Sequence, residues 1–172
     1  RLLCRCEYWF LEKTLSGDSL IYLVDMRKSD RKDFIEGLIQ LFIRELKLER
    51  SKMELVVFTK KGFEKETGAA GVVYPYSETL ITMDLDSQLP VEKLVDVLSH
   101  EMVHVKQIAK GQLKYKGKKI YWKGKYVNHK KVSYYDHPWE HEAWKNQKIL
   151  ASKVWKILED IGAIDKVGVR EL

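Results

Sequence analysis

"PVEKLVDVLSHEMVHVKQIAKG", residues 90–111, is the stretch on which the fold turns. Val91, Leu94, Val95, Leu98, Met102, Val105 and Ala109 recur at helical spacing and form one apolar stripe. Pro90 suits the start of such a helix, because its missing N–H falls where no helical acceptor exists, and Gly111 suits its end. His100 and His104 lie on another side, with Val97 and Ile108, so more than one face is buried and the helix belongs at the centre of the molecule.

Working outward, "SLIYLVDM" reads as a short buried strand, after which Ser29 or Asp30 can cap a helix through "DRKDFIEGLIQLFIRELK". Phe34, Ile35, Leu38, Ile39, Phe42 and Leu46 give that helix its core face. "MELVVFTKK", "TGAAGVVYPY" and "ETLITMDLD" read as strands, the last two joined by the "PYSET" turn. A β-hairpin is expected around Gly117 and Gly124, then a final helix from Pro138 to Ile161. The order predicts an α+β fold: a small mixed sheet on the central helix, with no alternating βαβ pattern.

A length of 172 residues with 45% hydrophobic content suits one packed core, so residues 1–172 read as a single domain. No run approaches the roughly 18 apolar residues of a membrane helix, which predicts no membrane partner. "RLLCRCEYWFLEK" lacks the small-residue cleavage signature of a secretory signal, although the start reads as trimmed, which leaves a removed signal open. The only cysteines, Cys4 and Cys6, read as reduced thiols of a cytoplasmic protein, whether in a bacterium or a virus-infected cell. The net charge of +6 is unevenly spread: residues 105–135 hold many lysines and no Asp or Glu.

The central helix also carries H-E-x-x-H. Residues four apart stand one turn above each other, so His100 and His104 can bind one metal ion from the same side. Glu101 then projects beside the open coordination position. Water held there by zinc has its pKa lowered to about 7, and a neighbouring carboxylate can take its proton as it attacks a carbonyl carbon. A zinc-free core with two histidines is the bland alternative.

A catalytic zinc site needs a third protein ligand. "YYDHPWEHEAWKNQ" offers Glu140 and Glu142 at the start of the final helix. Against an apolar stripe of Trp139, Ala143, Leu150, Val154, Ile157 and Ile161, Glu140 lies about 60° from the centre and Glu142 about 100°, which favours Glu140. Acids in a first helical turn also offset the helix dipole whatever the function. His141 competes as a ligand but is expected to be exposed.

"HEMVHVKQ" followed by "PWEHEA" resembles the short, single-domain gluzincin-type zinc metallopeptidases of phages and bacteria, which pair an H-E-x-x-H-x-x-Q helix with a P-W-E-x-E-A helix. The E-x-E-A element is similar to ImmA/IrrE-type metallopeptidases. The matching part spans about residues 68–150. The resemblance implies zinc held by His100, His104 and Glu140, with Glu101 as general base. The pattern of larger gluzincins implies Glu142 with Asn146 instead, so the third ligand stays a choice of two, the other acid supporting an imidazole. A weaker resemblance to SprT-like proteases lacks their third histidine and cysteine-based zinc ribbon.

The basic block admits two readings. Lys116, Lys118, Lys119, Lys123 and Lys125, interleaved with Tyr115, Tyr121, Trp122 and Tyr126, can follow a phosphate backbone and stack bases. The same pattern fits a ribbon with aromatics packed inward and lysines in water, one that walls a substrate cleft and favours acidic partners. Tyr134, Tyr135 and His137 are candidates to donate a hydrogen bond to a developing oxyanion. "GAAGVVYPY" can pair with an extended peptide by strand addition.

These residues together predict a zinc metallopeptidase acting on a peptide or protein substrate. The rival is a non-catalytic zinc protein, associated with nucleic acid or a virion through the basic hairpin within 105–135. Oligomeric state leaves no legible mark.

Overall fold

A computed structural model of the chain describes residues 21–27 and 30–164; Cys4, Cys6 and Ser29 lie outside them. The fold is α+β, as the sequence predicts. A four-stranded sheet has the order β1 (Ile21–Asp25), β2 (Glu54–Lys60), β4 (Leu80–Asp86), β3 (Gly71–Pro75). β1 and β2 are parallel, β2 and β4 are parallel, and β3 runs antiparallel to β4. Parallel neighbours need a crossover, and α1 (Asp30–Glu45) supplies it between β1 and β2. One βαβ unit therefore opens the described fold, which the sequence reading did not expect.

Strand alternation gives the sheet one buried face. Leu55 and Val57 of β2 and Ile81, Met83 and Leu85 of β4 are fully buried, whereas Glu54 and Phe58 are exposed. Ile35, Leu38, Ile39 and Phe42 of α1 and Leu94, Val95, Leu98, Met102 and Val105 of α3 (Val91–Ala109) belong to the same core. A further helix, α4 (Pro138–Asp160), packs along α3 and adds Ala143, Leu150, Val154 and Leu158. Burial of α3 on several faces follows from this sandwiching.

A short helix, α2 (Phe63–Thr67), escaped the sequence reading. It is little more than one turn between Gly62 and Gly68, both left-handed at φ 74° and 79°, too brief for a periodic signal. Its first turn is capped from a distance: the buried Asp86 carboxylate accepts the Glu64 N–H at 2.9 Å and the Gln88 N–H at 2.9 Å.

The expected hairpin is a three-stranded antiparallel sheet of β5 (Leu113–Lys116), β6 (Lys119–Trp122) and β7 (Lys125–Val127). Gly117–Lys118 and Lys123–Gly124 each make a two-residue turn, so the two glycines close two hairpins rather than one. Two 3-10 turns, His129–Lys131 and Tyr134–Asp136, lead into α4. Among the described residues no helix is long and apolar enough to cross a membrane.

Candidate metal centre

α3 and α4 bring three donor groups to one point. His100 Nε2 and His104 Nε2 are 3.1 Å apart, His100 Nε2 is 3.3 Å from Glu140 Oε2, and His104 Nε2 is 3.4 Å from Glu140 Oε1. All three residues are buried, and among the described residues they are the one group of this kind able to hold a metal ion. A tetrahedral ion at about 2.0–2.2 Å from nitrogen and oxygen ligands separates its donors by about 3.3–3.6 Å. The two imidazole–carboxylate distances, each to a different Glu140 oxygen, fall in that range, and the imidazole–imidazole distance is slightly shorter.

Hydrogen bonds behind the imidazoles sharpen the fit. Gln107 donates through Nε2 to the Trp139 carbonyl at 3.0 Å, which turns its Oε1 toward His104 Nδ1 at 2.9 Å. His104 must then carry its proton on Nδ1 and present a bare lone pair at Nε2. Gln147 Oε1 stands 3.3 Å from His100 Nδ1 and favours the same tautomer there. Two lone pairs 3.1 Å apart repel unless a cation lies between them. Glu140 Oε2 points the same way, buried with no hydrogen-bond donor in good geometry.

The electrostatics agree. Burial alone would raise the Glu140 carboxyl, but the facing His100 and His104 imidazoles, joined by the Tyr134 hydroxyl, outweigh it and hold the pKa at about 2. Burial works against a charged His104, yet contact with Glu140 and the charge of Glu101 raise its pKa.

Glu101 is buried beside the ligands, and its carboxyl is raised above the usual range by that burial, with His104 and His100 opposing and Glu140 adding. Its place depends on Gly71 at the start of β3. A Cβ at residue 71 would stand 2.8 Å from Val97 Cγ1 and 3.0 Å from Glu101 Cγ. Glycine lets the edge strand come this close to α3.

The two acids at the start of α4 have different surroundings. Glu142 turns away from the imidazoles to Lys123, at 2.8 Å, and Lys106, at 3.6 Å. Asn146 donates to the Glu142 carbonyl at 2.7 Å. His141 is exposed, as expected, 4.0 Å from Asp136. Glu140 alone completes the trio.

The oxyanion candidates divide. Tyr135 is 67% exposed and rests edge-on against Tyr134. His137 is buried, stacked on Trp139 at 4.4 Å and directed to the His129 carbonyl. Tyr134, in contrast, has its hydroxyl within hydrogen-bonding reach of Glu140; burial, followed by the Glu140 charge, raises its pKa. Tyr135 and His137 thus stand outside the trio.

Sequence reasoning gave no individual role to Gln107, Gln147 or Trp144, whose ring lies 4.6 Å from that of His100. Gln107 follows His104 by three residues and Gln147 follows Glu140 by two helical turns, so helical spacing was the available signal.

Lys116, Lys118, Lys119, Lys123 and Lys125 are exposed, as both readings of the ribbon require. The aromatics pack among themselves: Tyr121 on Tyr126 at 6.0 Å, and Trp122 toward Trp139 at 6.5 Å. Lys116 and Lys123 lie over Tyr121 and Trp122.

No protein-family model, curated protein or solved structure matches the chain. Fold and site define an α+β protein with a buried His-His-Glu group that can bind a metal ion.

Proposed function

We propose that the protein is a zinc-dependent metallopeptidase that hydrolyses a peptide bond with Glu101 as general base. The carrying observation is the convergence of His100 Nε2, His104 Nε2 and the Glu140 carboxylate next to a buried acid of raised pKa. Two imidazoles and one carboxylate suit zinc, which, when bound, supplies Lewis acidity to water and to a substrate carbonyl. The motif resemblance to gluzincin-type peptidases points the same way.

In this reading His100, His104 and Glu140 hold the ion, while Gln147 and Gln107 keep both histidines in the Nδ1–H tautomer. Glu101 takes a proton from the attacking water. It returns that proton to the nitrogen of the leaving amine as the C–N bond breaks, a role that a carboxyl raised by burial suits. The Tyr134 hydroxyl is placed to donate to the oxyanion. Among the described residues β3 is the end strand of its sheet; it begins at Gly71 against Glu101, and its outer edge would offer N–H and C=O groups to an extended peptide.

The test is zinc content by elemental mass spectrometry on protein purified without a histidine tag, together with hydrolysis of a peptide mixture. One zinc per chain is expected, with turnover abolished by Glu101→Gln while the zinc is retained. Cleavage that persists in Glu101→Gln, or a chain that takes up no zinc, refutes the reading. Zinc uptake without cleavage instead favours the ion as a structural clip.

A further inference from the structure

The ribbon of β5, β6 and β7 has two unlike faces. Register sorts them, because side chains alternate along each strand and directly paired residues share a side. Leu113, Tyr115, Ile120 and Trp122 look inward: Leu113 is buried, Trp122 approaches Trp139, and Tyr115 and Ile120 line a cavity with His129 and Lys130. Lys114, Lys116, Lys119, Tyr121 and Tyr126 share the outward face. There Tyr121 pairs with Lys114 on one side and Tyr126 on the other, and Lys116 stands directly opposite Lys119. All three lysines are exposed, and Tyr126 is 56% exposed. Lys118, exposed in the β5–β6 turn, adds a further charge.

Packing within the chain does not account for this face. Like charges directly opposite on paired strands destabilise a sheet, yet Lys116 and Lys119 form such a pair. Lysines on edge strands guard against aggregation, but Lys119 belongs to the central strand β6. Among the described residues no carboxylate pairs with Lys114, Lys116, Lys118 or Lys119. Ten lysines and no acid fall within residues 105–135, so the remainder of the chain holds 21 basic against 25 acidic residues, and the whole cationic excess lies in this segment. Lys116 lies over the Tyr121 ring at 5.7 Å and Tyr121 meets Tyr126 edge-on at 6.0 Å, which leaves the Tyr126 ring as the open aromatic surface. We infer that the outward face of the ribbon binds single-stranded nucleic acid, with phosphates on Lys116, Lys118 and Lys119 and a base on Tyr126. A carboxylate-rich peptide would satisfy the lysines alone, whereas an unpaired base also uses the tyrosine. The inference stands apart from the peptidase reading and does not need the metal.

The test is fluorescence polarisation of a labelled oligothymidine with the full chain across a salt series. Binding is expected at low salt, with log affinity falling linearly as log salt rises. Lys116→Ala/Lys119→Ala should flatten that slope by about 1.4, since each phosphate contact to a single strand contributes about 0.7. Tyr126→Ala should weaken binding at least about fivefold and leave the slope unchanged, and an abasic strand of equal length should bind the parent with a similar loss. Lys52→Ala/Lys156→Ala, which removes exposed lysines outside the ribbon, should bind like the parent. Circular dichroism checks that each variant folds. No binding at low salt, an unchanged slope in the ribbon double variant, full affinity in Tyr126→Ala, or an equal loss in the Lys52→Ala/Lys156→Ala control overturns the inference. So does a decaglutamate peptide that binds as tightly as oligothymidine, which would assign the face to an acidic protein.

Discussion

Gln107 Oε1 meets His104 Nδ1 at 2.9 Å while the same side chain, through Nε2, holds the Trp139 carbonyl at 3.0 Å. One amide thus fixes the tautomer of His104 on α3 and ties it to the first turn of α4, the turn that carries Glu140. Gln107→Leu removes both bonds in nearly the same volume. Zinc affinity measured by chelator competition should fall about 10- to 100-fold, and an unchanged affinity would show that the orientation of His104 does not depend on Gln107.

The neighbouring acids of α4 should behave differently. Glu140→Gln withdraws a ligand oxygen and should leave the purified protein without stoichiometric zinc. Glu142→Gln should keep its zinc and lose less than about 1 kcal/mol of stability, the usual scale for a solvent-reached ion pair such as that with Lys123. Loss of zinc from Glu142→Gln alone would reverse the assignment.

Gly71 admits no side chain without displacing Glu101 or Val97. Gly71→Val should lower turnover at least tenfold with zinc still bound, and reduce stability by the roughly 1–3 kcal/mol typical of overpacking. Peptide hydrolysis, elemental analysis and urea melts on one preparation separate these effects. Full activity in Gly71→Val would mean that the approach of β3 to α3 is irrelevant to the base.

Asp86 supplies an acid-sensitive contribution to the fold. Burial by itself raises its carboxyl, but the backbone N–H groups of Gln88, Glu64 and Gly62 and the charge of Lys65 outweigh that and hold it below its ordinary 3.8. A depressed folded-state pKa gives stability that is complete above about pH 4 and is lost as pH falls through the folded value. Asp86→Asn should therefore melt lower than the parent at pH 7, by about 1.5–3 kcal/mol for hydrogen bonds to a charged group. The gap should close toward pH 2. A gap independent of pH would exclude the charge as its source.

Zinc itself should stabilise the chain. At a free concentration one hundred times the dissociation constant, linkage gives about 2.7 kcal/mol, visible as a higher melting temperature that a chelator abolishes in the parent and leaves unaffected in Glu140→Gln. A parent whose melting is indifferent to zinc does not bind it in the folded state.

Where the apolar period was long, the sequence was legible: α3 and α4 stand where Pro90, Gly111 and Pro138 placed them, and the acid nearer the apolar stripe, Glu140, is the one that the fold buries against the two histidines. Pairing partners were not legible. The apolar runs around Leu55 and Ile81 read the same whether their strands run parallel or antiparallel, so the βαβ unit around α1 left no local trace. Nor could spacing distinguish Tyr134 from Tyr135, since a one-residue difference in a 3-10 turn decides which hydroxyl faces Glu140. Gln107 and Gln147 looked like ordinary polar helix residues because their significance lies in what stands across from them.

His100, His104 and Glu140 sit on two packed helices, whereas the lysine-rich ribbon sits on the excursion between them, from Lys110 to His137. Lengthening a loop costs little, about 0.6 kcal/mol for each doubling, so that excursion can be rebuilt without moving His100, His104 or Glu140. The donor trio and the basic surface are thus separable inheritances: one can be rewritten while the other stands.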